Sequence, residues 1–154
     1  MIPALAQRIV IDTNVCLDLF VFHDSRWAAL LAAIEGGAVE AVTRADCREE
    51  YLVVLGYTHL PLDQDSRPRA QERFDALIKV LAPPPKPIRL PVCSDRDDQK
   101  FLELARDADA HILITKDKAL LKLARKTAQA GMFRIMLPET WIAHSGAAPS
   151  QETA

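Results

Sequence analysis

Cysteine is scarce. Cys16, Cys47 and Cys93 are odd in number and widely spaced, and no C-x-x-C pair occurs. This excludes a disulfide framework or a zinc knuckle and leaves buried, reduced thiols as the expectation. The four histidines are scattered, with no H-x₃₋₅-H spacing, so they are expected to be structural or solvated. No apolar run approaches the roughly 18 residues that cross a bilayer. Met1 to Arg8 lack the basic-then-apolar build of a signal peptide. The expectation is therefore a cytoplasmic protein with no membrane partner. An excess of positive charge is missing too, the formal net charge being −2. Nucleic-acid binders usually carry a basic patch, so such a role has to rest on local clusters. There is no internal repeat and no low-complexity core.

What is present fits a soluble globular protein. The chain has 154 residues, of which 49% are hydrophobic and 26% charged, enough to bury a sizeable core. We expect one domain over residues 1–144 and a flexible, small-residue tail over 145–154.

Strand-like and helix-like segments alternate. Residues 8–12 read as a first strand. Asp24-Ser25 can cap a helix over 26–35, which Gly36-Gly37 ends. Val39 to Thr43 alternates as a second strand, and Arg44 to Leu55 carries a helical apolar stripe. A connection over 56–68, with acids and two prolines, leads to a helix over 69–81, stopped by the prolines at 83–85 and 87. Ile88 to Leu90 is a weak third strand. Ser94-x-x-Asp97 resembles a capping box, and the helix it opens should run over 95–108. Ile112 to Thr115 is the fourth strand, Lys118 to Ala130 a basic helix ended by Gly131, and Arg134 to Leu137 the fifth strand. Pro138 can start a short last helix. Such alternation predicts an α/β fold, a parallel sheet with helices on both faces.

Two of these strands run into carboxylates. Ile9-Val10-Ile11 leads into Asp12-Thr13-Asn14, and Ile112-Leu113-Ile114 leads into Thr115-Lys116-Asp117. In open α/β sheets ligands bind beyond the carboxyl ends of the strands, so Asp12 and Asp117 are expected at one sheet edge. Buried like charges need a cation. Asp98 shares a helical stripe with Phe101, Leu102 and Ala105, whereas Asp95 and Asp97 fall off it and read as helix-start charges. Glu50 shares a face with Val53 and Val54, and Glu49 shares one with Leu52 and Val53, so helical phase leaves both open.

The ordered set Ile11-Asp12-Thr13-Asn14-Val15, Glu50-Tyr51-x-x-Val54-Leu55, Asp95-x-Asp97-Asp98-x-x-Phe101-Leu102-x-Leu104-Ala105 and Ile114-Thr115-x-Asp117 resembles a PIN domain. It looks closest to the VapC-related bacterial toxins of toxin–antitoxin pairs, and the resemblance covers roughly residues 8–137. It implies a three-layer α/β/α fold with a parallel sheet of about five strands. It also implies a Mg²⁺- or Mn²⁺-dependent ribonuclease, often dimeric and often held by a small antitoxin protein. The family's four acidic positions fall on Asp12, Glu50, Asp98 and Asp117, the resemblance choosing Glu50 over Glu49. Its polar partners fall on Thr13, Asn14 and Thr115.

Four carboxylates suit a hard divalent cation, which favours oxygen ligands. Asp12 and Asp98 are the expected direct ligands. Asp117 is expected at a second ion or a metal-bound water, and Glu50 through a water or as general base. Asn14 and Thr115 are expected to orient the carboxylates. Arg44, Arg48, Arg96, Lys100, Lys116, Lys118 and Lys122 are candidate contacts to the RNA backbone. Two other readings stand beside this one. A haloacid-dehalogenase-like phosphatase also begins from an Asp after strand one, but it wants a second Asp where this chain has Asn14. A PIN-like RNA-binding or protein-interaction module with little turnover is the non-enzymatic alternative.

Overall fold

A computed structural model of the chain describes residues 7–82 and 99–145. Five parallel strands, β1 (Gln7–Ile11), β2 (Val39–Thr43), β3 (Ile78–Val80), β4 (Ile112–Ile114) and β5 (Arg134–Met136), form one sheet in the order β3-β2-β1-β4-β5. The chain therefore builds outward from β1 on one side, then returns to add β4 and β5 on the other. The order reverses between β1 and β4, the position where open α/β sheets leave a crevice.

Helices cover both faces. Along β1, Ile9 and Ile11 point one way and Val10 the other, as the period of two requires. Ile9, Ile11, Ala41, Ile112 and Ile114 share a core with α1 (Thr13–Phe20), α2 (Ala28–Glu35), α3 (Ala45–Leu55), α4 (Ser66–Leu77) and α8 (Pro138–Ser145). Val10, Val42, Leu113 and Ile135 pack instead with α5 (Gln99–Asp107), the short helix α6 (Lys118–Leu121) and Phe133; α7 (Ala124–Gln129) follows α6. The result is a three-layer α/β/α fold. Cys16 and Cys47 are buried and free, while Cys93 lies outside the described residues.

Several elements differ from the sequence expectation. Residues 13–23 receive no element from the sequence, yet Thr13–Phe20 is helical, and every residue of it except Asn14 is buried. A helix buried on nearly all sides has no amphipathic stripe to reveal it. A single 3-10 turn, Ser25–Trp27, precedes α2, so the helix expected from residue 26 starts at Ala28. The helix expected over 69–81 runs Ser66–Leu77. Ile78–Val80 then leave it to pair with Ala41–Thr43 as the edge strand. Pairing with β2 outweighs a helical pattern that local sequence alone would continue. The strand expected at 88–90 lies outside the described residues, as does the start of the helix expected at 95. The basic helix over 118–130 is two short helices. They are joined at Lys122-Leu123 by a tightened turn, in which the Leu123 amide donates to the Leu120 carbonyl. Among the described residues no helix is long and apolar enough to cross a membrane.

Candidate active site

The carboxyl ends of β1 and β4 are side by side, with Ile11 in register with Ile114. Just beyond them the Asp12 amide donates to the Ile114 carbonyl at 3.1 Å, and the Thr115 amide donates to Met136 at 3.0 Å. These backbone bonds carry the sheet one residue past its strands and set Asp12 against Thr115. The Thr115 hydroxyl donates to Asp12 Oδ2 and accepts from the Asp117 amide at 2.9 Å. One hydroxyl thus links both strand-end acids.

Each acid also caps a helix. Asp12 Oδ1 accepts from the Val15 amide at 3.2 Å at the start of α1. Asp117 Oδ1 accepts from the Ala119 and Leu120 amides, at 2.8 and 3.2 Å, at the start of α6. Helix starts leave amides unpaired, and an Asp there satisfies them. Asp117 Oδ2 has no partner among the described residues.

Asp12 is only 4% exposed. Burial pushes its carboxyl up to about 6, although the hydrogen bonds from Thr115 and Val15 oppose the shift. The Asp117 charge adds to the rise and the Lys116 charge lowers it. The two carboxylates are therefore close enough to repel, and the nearest ammonium does not cancel the cost of burial.

Glu50 approaches from α3. The next residue, Tyr51, is buried, stacks on Phe74 with ring centroids 4.4 Å apart, and donates its hydroxyl to the Ala70 carbonyl at 2.9 Å. That anchor turns Glu50 toward the start of α1, where it accepts from the Thr13 hydroxyl, while Glu49 faces solvent. The Lys100 ammonium lies 2.6 Å from Glu50 Oε1, bringing the first turn of α5 to the same place.

The other expected residues fall in different settings. Asp98 and Arg96 lie outside the described residues. Asn14 is exposed and makes no hydrogen bond to either strand-end acid among the described residues. Thr13 supports Glu50, and Thr115 supports Asp12. Arg44 is drawn into ion pairs with Asp46 at 2.7 Å and Glu103 at 2.9 Å, with Asp107 at 3.6 Å. Its hydrogen bonds to Asp46 first, and to Glu103, hold the Arg44 pKa above the ordinary arginine value. Arg48 is paired with Asp75 at 2.8 Å. Lys118 and Lys122 are exposed.

One residue escaped the sequence reading. Asp18 on α1 is 7% exposed, accepts from the Trp27 indole at 3.0 Å, and lies 2.6 Å from the Lys116 ammonium. It thereby ties the Thr115–Asp117 turn to α1. Its signal was a lone acid inside Val15-Cys16-Leu17-Asp18-Leu19-Phe20, since a carboxylate in an apolar run needs a partner.

This arrangement agrees with a comparison against known families. Residues 8–119, from β1 to just past Asp117, match the family model for the PIN domain. The chain belongs to the PIN-domain family. PIN domains are generally nucleases and typically use divalent metals. No protein of curated function matches the chain.

The oxygen-only donors around Asp12 suit a hard divalent ion. So does a buried carboxylate that is hard to ionise beside a second one. Among the described residues no three acidic, histidine or cysteine side chains form a ligand cluster. The strand-end pair would need a further donor.

Proposed function

We propose that this PIN domain is a Mg²⁺- or Mn²⁺-dependent endoribonuclease that hydrolyses RNA phosphodiester bonds. The observation that carries the reading is the strand-end pair: a buried Asp12, raised by burial and by Asp117, at the reversal point of the sheet. Asp12 and Asp117 would hold the ion together with Asp98, which stands one residue before α5 in the sequence. When bound, such an ion lowers the pKa of its water and offsets charge developing at phosphorus. Thr115 keeps Asp12 aimed. Glu50, held by Thr13 and in contact with Lys100, would accept the proton of the attacking water.

Asp12→Asn or Asp98→Asn should abolish cleavage of a labelled RNA and lose the heat of Mn²⁺ binding in titration calorimetry. The circular dichroism spectrum should stay unchanged. Parental cleavage by both variants would refute the assignment. Family membership leaves the phosphatase reading without support. The Glu50–Lys100 pair favours a weakly active RNA-binding module. In that case the parent protein would bind RNA with no metal-stimulated turnover.

The biological setting we propose is that of a cytoplasmic toxin of a type II toxin–antitoxin pair, acting as a homodimer and restrained by a small antitoxin protein. Expression should arrest growth, and a neighbouring small gene product should relieve it. Harmless overexpression of a verified nuclease would remove the toxin role and keep the enzyme.

A further inference from the structure

The chain is net negative, yet its cations are not evenly matched. Elsewhere on the described surface they tend to be paired, as Arg8 is with Glu40, Arg48 with Asp75 and Arg73 with Glu35. Between Asp117 and Glu139 there is no acidic residue at all. Lys118, Lys122, Arg125 and Lys126 are exposed there and have no carboxylate partner among the described residues. Their spacing of i, i+4, i+7 and i+8 puts them on one helical face. The helix breaks at Lys122-Leu123, and the exposure pattern continues across the break, with Lys118, Lys122, Arg125 and Lys126 exposed. Leu120, Leu123 and Thr127 are buried on the opposite face. The basic face starts at the residue after Asp117 and runs for about 12 Å at 1.5 Å per residue. That is about the length of three to four stacked nucleotides at 3.4 Å each.

We infer that the exposed basic face of α6 and α7 is the track on which the phosphate backbone of the RNA strand lies as it leaves the carboxylate site. This inference rests on the ribonuclease reading for the identity of its ligand. Lysines and arginines spaced along a helix and free of acidic partners suit a row of phosphates. They provide position without sequence selection. Arg44 and Arg48, whose charges are already met by Asp46, Glu103 and Asp75, contribute little to it.

The test uses the full chain in EDTA and a short fluorescein-labelled single-stranded RNA, with anisotropy followed against salt. The double variant Lys122→Gln/Lys126→Gln should bind more weakly. Its log-affinity against log-salt slope should be flatter by about 1.4, or about 0.7 for each phosphate that is no longer neutralised. In metal-supported cleavage it should raise KM and leave kcat unchanged. Arg69→Gln/Lys79→Gln removes the same charge from two exposed, scattered positions and should change neither slope nor KM. An unchanged slope in the first variant, or an equal change in the second, overturns the track. So does a loss confined to binding of a polyglutamate peptide, which would make the face a protein-binding surface. If the parent binds RNA with the expected slope but never cleaves it, the track stands and the nuclease reading falls. If cleavage is intact and KM is indifferent to the variant, the reverse holds.

Discussion

Two acid-rich regions of this molecule are built from the same residue types and balanced in opposite ways. Between α3 and α5, Arg44 meets Asp46, Glu103 and Asp107, and Arg106 lies 2.6 Å from Asp107. Each of those acids has a guanidinium at hand. Beyond β1 and β4, Asp12 is more deeply buried, yet its hydrogen-bond partners are a hydroxyl and an amide. The nearest ammonium, Lys116, is in contact with Asp18 instead. A matched cluster stabilises a fold, whereas an unmatched buried carboxylate has a pKa that folding alone leaves unfavourable. Such groups concentrate at functional sites.

The sharpest way to break this contrast is through pH. The Asp12 carboxyl is raised from its ordinary 3.8 to about 6. The folded chain therefore holds a proton that the unfolded chain releases. The resulting stability is fully present below about pH 4 and is lost as pH rises through about 6. The loss is on the order of 2–3 kcal/mol. Asp12→Asn keeps the cap on α1 and carries no charge, so without metal it should be more stable than the parent by about that amount at pH 8 and equal to it near pH 4. Urea unfolding at both pH values measures this, and a constant difference would sink the idea. In the parent, Mn²⁺ should bind progressively more weakly below pH 6, as protons compete for the same oxygens.

A somewhat smaller effect is expected at Thr115. Removing its hydroxyl in Thr115→Val frees both Asp12 Oδ2 and the Asp117 amide. Mn²⁺ affinity should fall by about 10–100-fold, as when a partner that orients a ligand is removed. Calorimetric affinity equal to the parent's would show that Thr115 only packs.

The smallest effect belongs to the matched cluster. Arg44→Gln should cost about 1–2 kcal/mol, because it leaves Glu103 and Asp107 with fewer partners in a partly exposed setting. It should leave kcat, KM and Mn²⁺ affinity alone. A selective loss of RNA affinity with unchanged thermal stability would move Arg44 to the substrate side.

Much of this was legible before the fold, for identifiable reasons. β1, β2, β4 and β5 lie within a residue or two of their apolar, β-branched runs, since parallel strands are covered on both faces. The strand-end reading set Asp12 and Asp117 at one sheet edge, and the register of Ile11 with Ile114 puts their strand ends side by side. What stayed hidden depended on tertiary structure. The α1 helix has too little exposed surface to show a period. Ile78–Val80 continues a helical pattern and becomes a strand only because β2 offers an edge. Asp18 has no motif of its own, and its role exists only once Trp27 and Lys116 arrive. Helical phase left Glu49 and Glu50 equivalent, and the Tyr51 anchor separates them.

The double duty of the strand-end acids has a consequence for how this chain can change. Because each begins a helix, an amide in place of the acid keeps the carbonyl oxygen that caps the helix, removes the charge and, at Asp12, turns the oxygen that accepts from Thr115 into a donor. Disarming the protein is therefore a one-step change with almost no architectural penalty. On the ribonuclease reading proposed above, a silenced copy would keep its basic face and would compete with an active one for the same strand.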